Sequence, residues 1–185
     1  IRHGGLDLQT SVYDMRLTNE IHFDPVNFFN YNLDPTRRYG SETNASLRVN
    51  EMLLLRGGFA YTRAVFREGL FAGNDVPLVS RYTASAGASW NIWQKYLVLD
   101  TTLRYWSARR FDNDQANFQP LIPAHTTLDV KLSGEYEHLF WSLSFNNLFD
   151  AKYYDYGIAS AFTYGRYNVY PLPGRTVLFK AGMTF

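Results

Sequence analysis

Toward its C-terminus the chain alternates apolar and polar positions. Val177, Phe179, Ala181, Met183 and Phe185 make one face, and Thr176, Leu178, Lys180, Gly182 and Thr184 make the other, mostly polar or small. A period of two sends successive side chains to opposite sides of a β-strand. The same alternation recurs along the chain and predicts eight strands, at about residues 5–22, 39–49, 53–66, 81–91, 96–107, 125–134, 139–149 and 174–185. The first stretch changes phase: Leu6, Leu8, Thr10 and Val12 are followed by Tyr13, Met15 and Leu17. A bulge, or a strand rising above a lipid band, would account for that.

The connections alternate in length. Short ones fall near residues 50–51, 91–95 and 135–138, and long ones at about 23–38, 67–80, 108–124 and 150–173. Outer-membrane barrels have short periplasmic turns and long extracellular loops. The pattern therefore predicts an all-β fold, an antiparallel transmembrane β-barrel segment of about eight strands whose first strand runs outward. Leu55, Phe59, Leu99, Leu103, Leu128, Val130, Leu143, Phe145 and Phe179 are expected to face lipid. Glu42, Arg56, Asp100, Arg104, Asp129 and Lys131 are expected to face the lumen, because an Arg or Lys turned to mid-bilayer costs about 2–4 kcal/mol. A soluble, lipocalin-like barrel would invert the two faces, but four long loops on one rim are unusual for it.

Composition sharpens this picture. Aromatic residues are 17% of the chain, with 14 Tyr and 14 Phe, which suits rings at two membrane interfaces. A mean hydropathy of −0.28 argues only against helical spans, since a barrel strand needs lipid-compatible residues at alternate positions. The net charge of +1 gives no bulk electrostatic reason to expect nucleic acid. The absence of cysteine excludes disulfides and thiol chemistry. Since a barrel protein must be exported, the chain is expected to be a piece of a longer protein, residues 1–185 being its C-terminal β-barrel portion, with signal peptide and further domains outside this span.

The segment Asn147-Leu148-Phe149-Asp150-Ala151-Lys152-Tyr153-Tyr154-Asp155-Tyr156-Gly157 resembles the TonB-dependent outer-membrane receptors, whose penultimate strand leaves the membrane through an Asn-Leu-Phe-Asp segment. Gly165-Arg166-Tyr167 and Tyr170-Pro171-Leu172-Pro173-Gly174-Arg175 look like the final loop and the entry to the last strand of that family. Segments 19–25 and 32–42 are similar to such receptors as well. The resemblance implies a barrel of roughly 22 strands filled by an N-terminal plug domain, of which this chain would be the last third, in the outer membrane of a Gram-negative bacterium. It implies uptake of a scarce nutrient, foremost an iron–siderophore complex, with haem and cobalamin as other cargoes. TonB would act through an N-terminal region outside this chain, and membrane lipid and lipopolysaccharide would surround the barrel. It also implies that Phe185, a terminal aromatic on the apolar face, serves membrane assembly. The alternative is a small autonomous eight-stranded outer-membrane protein with a structural or adhesive role.

The long loops pair arginine with aromatic residues. Arg37 and Arg38 precede Tyr39, Arg109 and Arg110 precede Phe111, and Arg166 precedes Tyr167, with Tyr170 nearby. Guanidinium groups beside aromatic faces suit an anionic, planar ligand such as a ferric catecholate. The same residues could instead hold lipopolysaccharide phosphates or pack loop against loop. His3 and His138 are expected near the periplasmic rim, His22 and His125 near the outer one, dispersed rather than set for a metal or haem. Asp112-Asn113-Asp114 opens like a calcium loop but lacks its glycine and distal glutamate, so a turn is expected. No nucleophile elbow, phosphate loop or zinc-protease motif occurs, so no catalytic residue, cofactor or enzymatic activity is expected.

Overall fold

The computed structural model describes residues 2–25 and 27–185. Among them the chain is all-β, with strands β1 (Arg2–His3), β2 (Leu6–Leu17), β3 (Ile21–Asp24), β4 (Phe29–Asn32), β5 (Thr36–Arg48), β6 (Leu53–Phe66), β7 (Tyr82–Trp93), β8 (Leu97–Trp106), β9 (His125–Tyr136), β10 (Leu139–Asn146), β11 (Tyr154–Ala159), β12 (Tyr167–Pro171) and β13 (Thr176–Met183). The main sheet has the order β1-β2-β5-β6-β7-β8-β9-β10-β13, all pairs antiparallel. Its eight long strands each pair with the next long strand in sequence, so the sheet is a meander. The two-residue β1 folds back on β2. Two small hairpins, β3–β4 and β11–β12, stand inside the first and last long loops.

Directly paired residues of an antiparallel ladder share a face. One row runs Leu6, Leu47, Leu55, Ala88, Thr101, Val130, Phe145, Val177 across all eight strands. The alternate row runs Asp7, Ser46, Arg56, Gly87, Thr102, Asp129. Every residue expected to face lipid lies on the first face, and every charge expected to face the lumen lies on the second. Charges on the lumen face neutralise one another across strands: Arg104 pairs with Asp129, and Arg56 lies 4.0 Å from Asp100.

The apolar face carries aromatic residues at both ends. Tyr82 lies against Tyr61 and Phe59, with ring centroids 5.4 and 6.2 Å away, near the long loops. Trp93, Tyr96 and Tyr136 adjoin one another at the short turns. From Tyr82 to Trp90 the strand runs roughly 26 Å along its own axis at about 3.3 Å per residue, a length of the order of an outer-membrane apolar band.

Local sequence explains the tight end. The Asn50 side chain accepts the backbone N–H groups of Met52 (2.8 Å) and Leu53 (2.9 Å), closing the turn between β5 and β6. Gln94 and Glu137 take left-handed conformations in the other two short turns. At Gly40, between Tyr13 and Thr62, a Cβ would stand 2.9 Å from the Tyr13 hydroxyl. Its absence lets that hydroxyl cross β5 and meet Thr62 Oγ1 at 2.7 Å.

The structure moves some boundaries. The first strand ends at Leu17 in unbroken register with β5, so its change of phase is not a bulge. Beyond Val12 the outer face continues with Asp14 and Arg16, as in a strand that has risen past the lipid, while Tyr13, Met15 and Leu17 turn inward. Residues 21–24 form a separate hairpin strand. Arg37 and Arg38, expected in a loop, lie in β5, because that strand begins at Thr36. His3 lies by its backbone in β1 at the short-turn end, and its side chain is outside the described residues.

Leu103 pairs with Ala86 and Leu128 in the middle of the apolar face, whereas Thr102 beside it faces the lumen. Leu103→Arg is expected to destabilise the full-length, lipid-embedded protein by about 2–4 kcal/mol. Thr102→Arg should change it by much less. Urea titration of refolded protein in lipid vesicles measures both, and equal losses would contradict the assignment of faces.

Candidate functional site

The four long loops leave the sheet at the same end: loop 1 (18–35), loop 2 (67–81), loop 3 (107–124) and loop 4 (147–175). Among the described residues, the two clusters of buried apolar residues lie at this end, where the top of β6 meets the loops and where loop 3 meets loop 4. Ala64, Phe66 and Val76 form one and Phe111, Ile122 and Ala159 the other, so the loops carry the protein's packed core.

Loop 3 ties the assembly together. The Asp114 carboxylate accepts N–H groups from Phe118 (2.8 Å) and Gln119 (3.1 Å), which closes the turn. Burial pushes its carboxyl above the ordinary value, against the pull of those donors and of Arg110. Arg110 donates to the carbonyls of Asn117 (3.2 Å) and Gln119 (3.0 Å) and so serves the same turn. Toward loop 2, Asn117 exchanges side chain-to-backbone bonds with Asp75 at 2.8 and 2.9 Å. Toward loop 1, Gln115 Nε2 donates to the Tyr31 hydroxyl at 3.1 Å.

The contact with loop 4 is the most extensive. Phe111 is fully buried, stacked on Tyr167 with centroids 4.5 Å apart and beside Tyr154 at 6.1 Å. A Cβ at Gly157 would come within 2.7 Å of the Phe111 ring, so only glycine allows this packing. Asp112 bonds through its backbone to Gly157 and Ala159 and accepts the Tyr156 hydroxyl at 2.6 Å. Burial, with Asp112 beside it, pushes the Tyr156 hydroxyl well above its ordinary pKa. Gln119 cradles the tip of the β11–β12 hairpin: its Nε2 donates to the carbonyls of Ser160 (2.6 Å) and Thr163 (2.9 Å), and its Oε1 accepts Gly165 N–H (2.8 Å).

The Asn-Leu-Phe-Asp segment has a clear physical job. Asn147, buried and left-handed, holds Ala151 by both backbone groups (2.9 and 3.0 Å) and reaches the carbonyl of Pro173. Asp150 accepts Arg175 N–H and the Lys152 ammonium, both at 2.9 Å. The two side chains thereby fasten the start of loop 4 to its end. The Arg175 N–H, then Lys152, hold the Asp150 carboxyl below the usual carboxylate range.

The residues singled out in the sequence do not form one cluster. Arg37 lies on the outer face, bonded to both carboxylate oxygens of Asp14 and 4.8 Å above the Tyr39 ring. Arg38 lies on the inner face, paired with Glu20 beside a cavity of about 180 Å³ that His22, Asp112 and Gln115 also line. Arg109 is buried and grips Asp155 through its side chain (2.9 Å) and carbonyl (2.8 Å). Arg109 and Tyr167 both serve the packing of loop 3 on loop 4, Arg109 through Asp155 and Tyr167 through Phe111, while the Arg110 side chain bonds within loop 3. Arg166 and Tyr170 are exposed on the β11–β12 hairpin, Tyr170 with its ring 5.5 Å from that of Tyr156. Phe185 is fully exposed past the end of β13.

His22 sits 3.6 Å from Asp112, and His125 is stacked between Trp106 and Tyr153, both at the long-loop end. Among the described residues, no His, Cys, Asp and Glu side chains converge in a set that could hold a metal. Asp112, Gln115 and Gln119 carry the loop assembly, yet the sequence points to Asp112 only as part of a turn and to the two glutamines only as positions in a long connection. Their partners lie 41 to 93 residues away, beyond any local pattern.

The family model described as "TonB dependent receptor-like, beta-barrel" matches residues 1–148. The chain belongs to this family. No curated protein matches it in sequence. The ferric yersiniabactin uptake receptor FyuA from Yersinia pestis superposes over 100% of this chain and 28% of its own, with TM-score 0.83 and 22% identity. The siderophore receptor PiuA from Acinetobacter baumannii covers 96% of this chain and 26% of its own, at TM-score 0.75 and 16% identity. The copper transporter OprC covers 100% and 30%, at 0.76 and 16%. The chain thus spans between a quarter and a third of the length of these barrels, and at such identities the likeness is one of fold.

Two tests follow from this geometry. Phe111→Ala is expected to cost about 3–5 kcal/mol of local stability, seen as faster amide exchange in residues 154–170 with the strands unchanged. For Asp150, a carboxyl held low in the folded state stabilises it above the unfolded pKa and ceases to as pH falls through the folded one. Protection of residues 147–152, with exchange referred to its intrinsic rate at each pH, should therefore fall once pH drops below the ordinary carboxylate value, and Asp150→Asn should abolish that acid step.

Proposed function

We propose that this chain is the C-terminal third of an outer-membrane receptor of a Gram-negative bacterium that imports an iron–siderophore complex with energy supplied through TonB. Segments outside these residues would complete a barrel of roughly 22 strands and provide the plug and the TonB contact. The observation that carries this reading is the fastening of four long loops into one assembly above a polar inner face. A fixed, aromatic-rich rim can present a ligand surface, which four independent loops could not. The ferric siderophore receptors among its fold relatives support iron chelates as the cargo class, whereas the copper transporter marks the main alternative.

Within that reading, Arg109 and Arg110 position the loops. The exposed Arg166 and Tyr170, with Tyr167 between them and Arg38 on the inner wall, are the groups left to meet an anionic chelate. Charge-assisted hydrogen bonds with stacking on the tyrosine rings would hold it. The inner-facing ion pairs of β6, β8 and β9 would border the plug.

The test is binding to the full-length receptor, with ferric enterobactin and ferric citrate as probes and a copper salt as the competing class. Saturable binding of one ferric chelate is expected. Arg166→Ala combined with Tyr170→Ala should weaken it at least about tenfold, the equivalent of 1.4 kcal/mol, whereas Arg37→Ala should leave it intact. Copper binding without chelate binding would replace the cargo class, and unchanged affinity in the double variant would move the site off this hairpin.

A further inference from the structure

Carboxylate and imidazole groups alone do not converge on this rim, but a mixed set with phenols does, where three loops meet. Asp112 of loop 3 stands at its centre. Its Oδ2 accepts the Tyr156 hydroxyl of loop 4 at 2.6 Å, and its Oδ1 lies 3.6 Å from Nε2 of His22 in loop 1. The same imidazole nitrogen is 3.5 Å from the amide of Gln115, which also donates to the Tyr31 hydroxyl at 3.1 Å. His22 and Tyr31 are direct partners across the β3–β4 ladder, their rings edge to face.

Four properties of this cluster suit a cation. Asp112 and Gln115 are buried, and the cavity of about 180 Å³ beside them and His22 has room for an ion with its water. The separations of 2.6 and 3.6 Å straddle the distance of about 3 Å that neighbouring ligands keep when each sits about 2.1 Å from one ion. The local field is negative. Asp24 and Asp34 act together with Asp112 on the Tyr31 hydroxyl, while Arg38, which also lines the cavity, is neutralised by Glu20. The donors are oxygen and imidazole nitrogen, with no sulfur among them, which suits a hard ion over a soft one.

We propose that Asp112, Tyr156 and His22 form a binding site for a hard, highly charged transition-metal ion, foremost ferric iron, which ties loops 1, 3 and 4 together. Binding breaks the Tyr156 O–H bond and forms an iron–phenolate bond; the proton leaves to solvent and the iron stays ferric. The Asp112 carboxylate and the phenolate supply two negative charges and His22 a neutral nitrogen. Water held by the Gln115 amide completes the coordination from the cavity side. Loop 1 otherwise meets Asp112 and Gln115 of loop 3 through His22 and one hydrogen bond from Tyr31, so an ion shared by three loops would stiffen the rim. The inference concerns a bare ion and does not rest on the chelate reading.

The test titrates the full-length, metal-free receptor in detergent with ferric nitrilotriacetate, zinc chloride and calcium chloride. A visible phenolate-to-iron charge-transfer band is expected to grow to one equivalent of iron, an absorption that iron held by carboxylates or surface groups lacks. Tyr156→Phe should abolish the band and weaken iron binding at least tenfold, and His22→Phe should weaken it at least tenfold. Tyr164→Phe, elsewhere on loop 4, should behave like the parent. Asp112→Asn should bind no iron; should it fail to fold, Tyr156→Phe, which keeps its ring, decides the question. Arg166→Ala with Tyr170→Ala, which removes the chelate contacts proposed above, should keep the band, so the two readings fail separately. With iron bound, amide exchange should slow at least threefold in residues 29–32 and 154–159. Iron binding without the band, a band that survives Tyr156→Phe, or equal affinity for zinc or calcium would overturn the proposal.

Discussion

A one-residue slip between any two neighbouring strands of this sheet would turn every side chain of one strand to the opposite face. Arg56, Asp100, Arg104, Asp129 and Lys131 would then point into hydrocarbon, and Leu55, Leu99, Leu103, Leu128 and Val130 into a polar lumen. The penalty repeats at each charge, so register is the quantity on which the rest of the structure depends. The chain fixes it with small devices. Asn50 closes one short turn with its own side chain, left-handed Gln94 and Glu137 shape two others, and the Tyr13 hydroxyl reaches across Gly40 to Thr62. Both faces are then set at once across eight strands.

With the sheet committed to two faces, little of its surface can serve as a core. Its outer side turns to lipid and its inner side to polar partners. Burial therefore concentrates where the strands end, in the loop assembly around Phe111 and Phe66. Loop 3 is polar in composition yet contains buried Asp112, Asp114, Gln115 and Gln119. Buried polar groups need partners, and each of these finds them on a neighbouring loop or within its own turn. The assembly is held by directional bonds as well as by apolar contact, which makes its shape specific.

The same division of faces gives arginine three different roles. Arg104 neutralises a carboxylate on the inner wall, Arg109 and Arg110 are consumed in loop packing, and Arg16, Arg37 and Arg63 stand over the aromatic girdle on the outside. Residue type is constant while height and side decide the chemistry. Arg37 and Arg38 show this most sharply, as neighbours in sequence on opposite sides of one strand. The four loops, once joined through Asp112, Asn117 and Gln119, act as one body, and the β11–β12 hairpin keeps Arg166 and Tyr170 exposed on it.

The sequence by itself determined the strands, their two faces and the alternation of short and long connections. These follow from a period of two and from turn residues, both local properties that any window of ten residues displays. It also contained the Asn147–Asp150 segment, which carried the family resemblance and whose bonds to Ala151 and Arg175 give it a physical role. What only the tertiary structure decided is the use of the loops. The small hairpins β3–β4 and β11–β12 have too few alternating positions to stand out from loop sequence, and Arg37 and Arg38 read as loop residues because β5 extends past the lipid, where alternation no longer separates apolar from polar. The convergence of Asp112 on Tyr156, or of Gln119 on Ser160 and Gly165, joins residues more than 40 positions apart. Such contacts depend on the sheet bringing four loop ends to one rim, and no local pattern encodes which loop each side chain will meet.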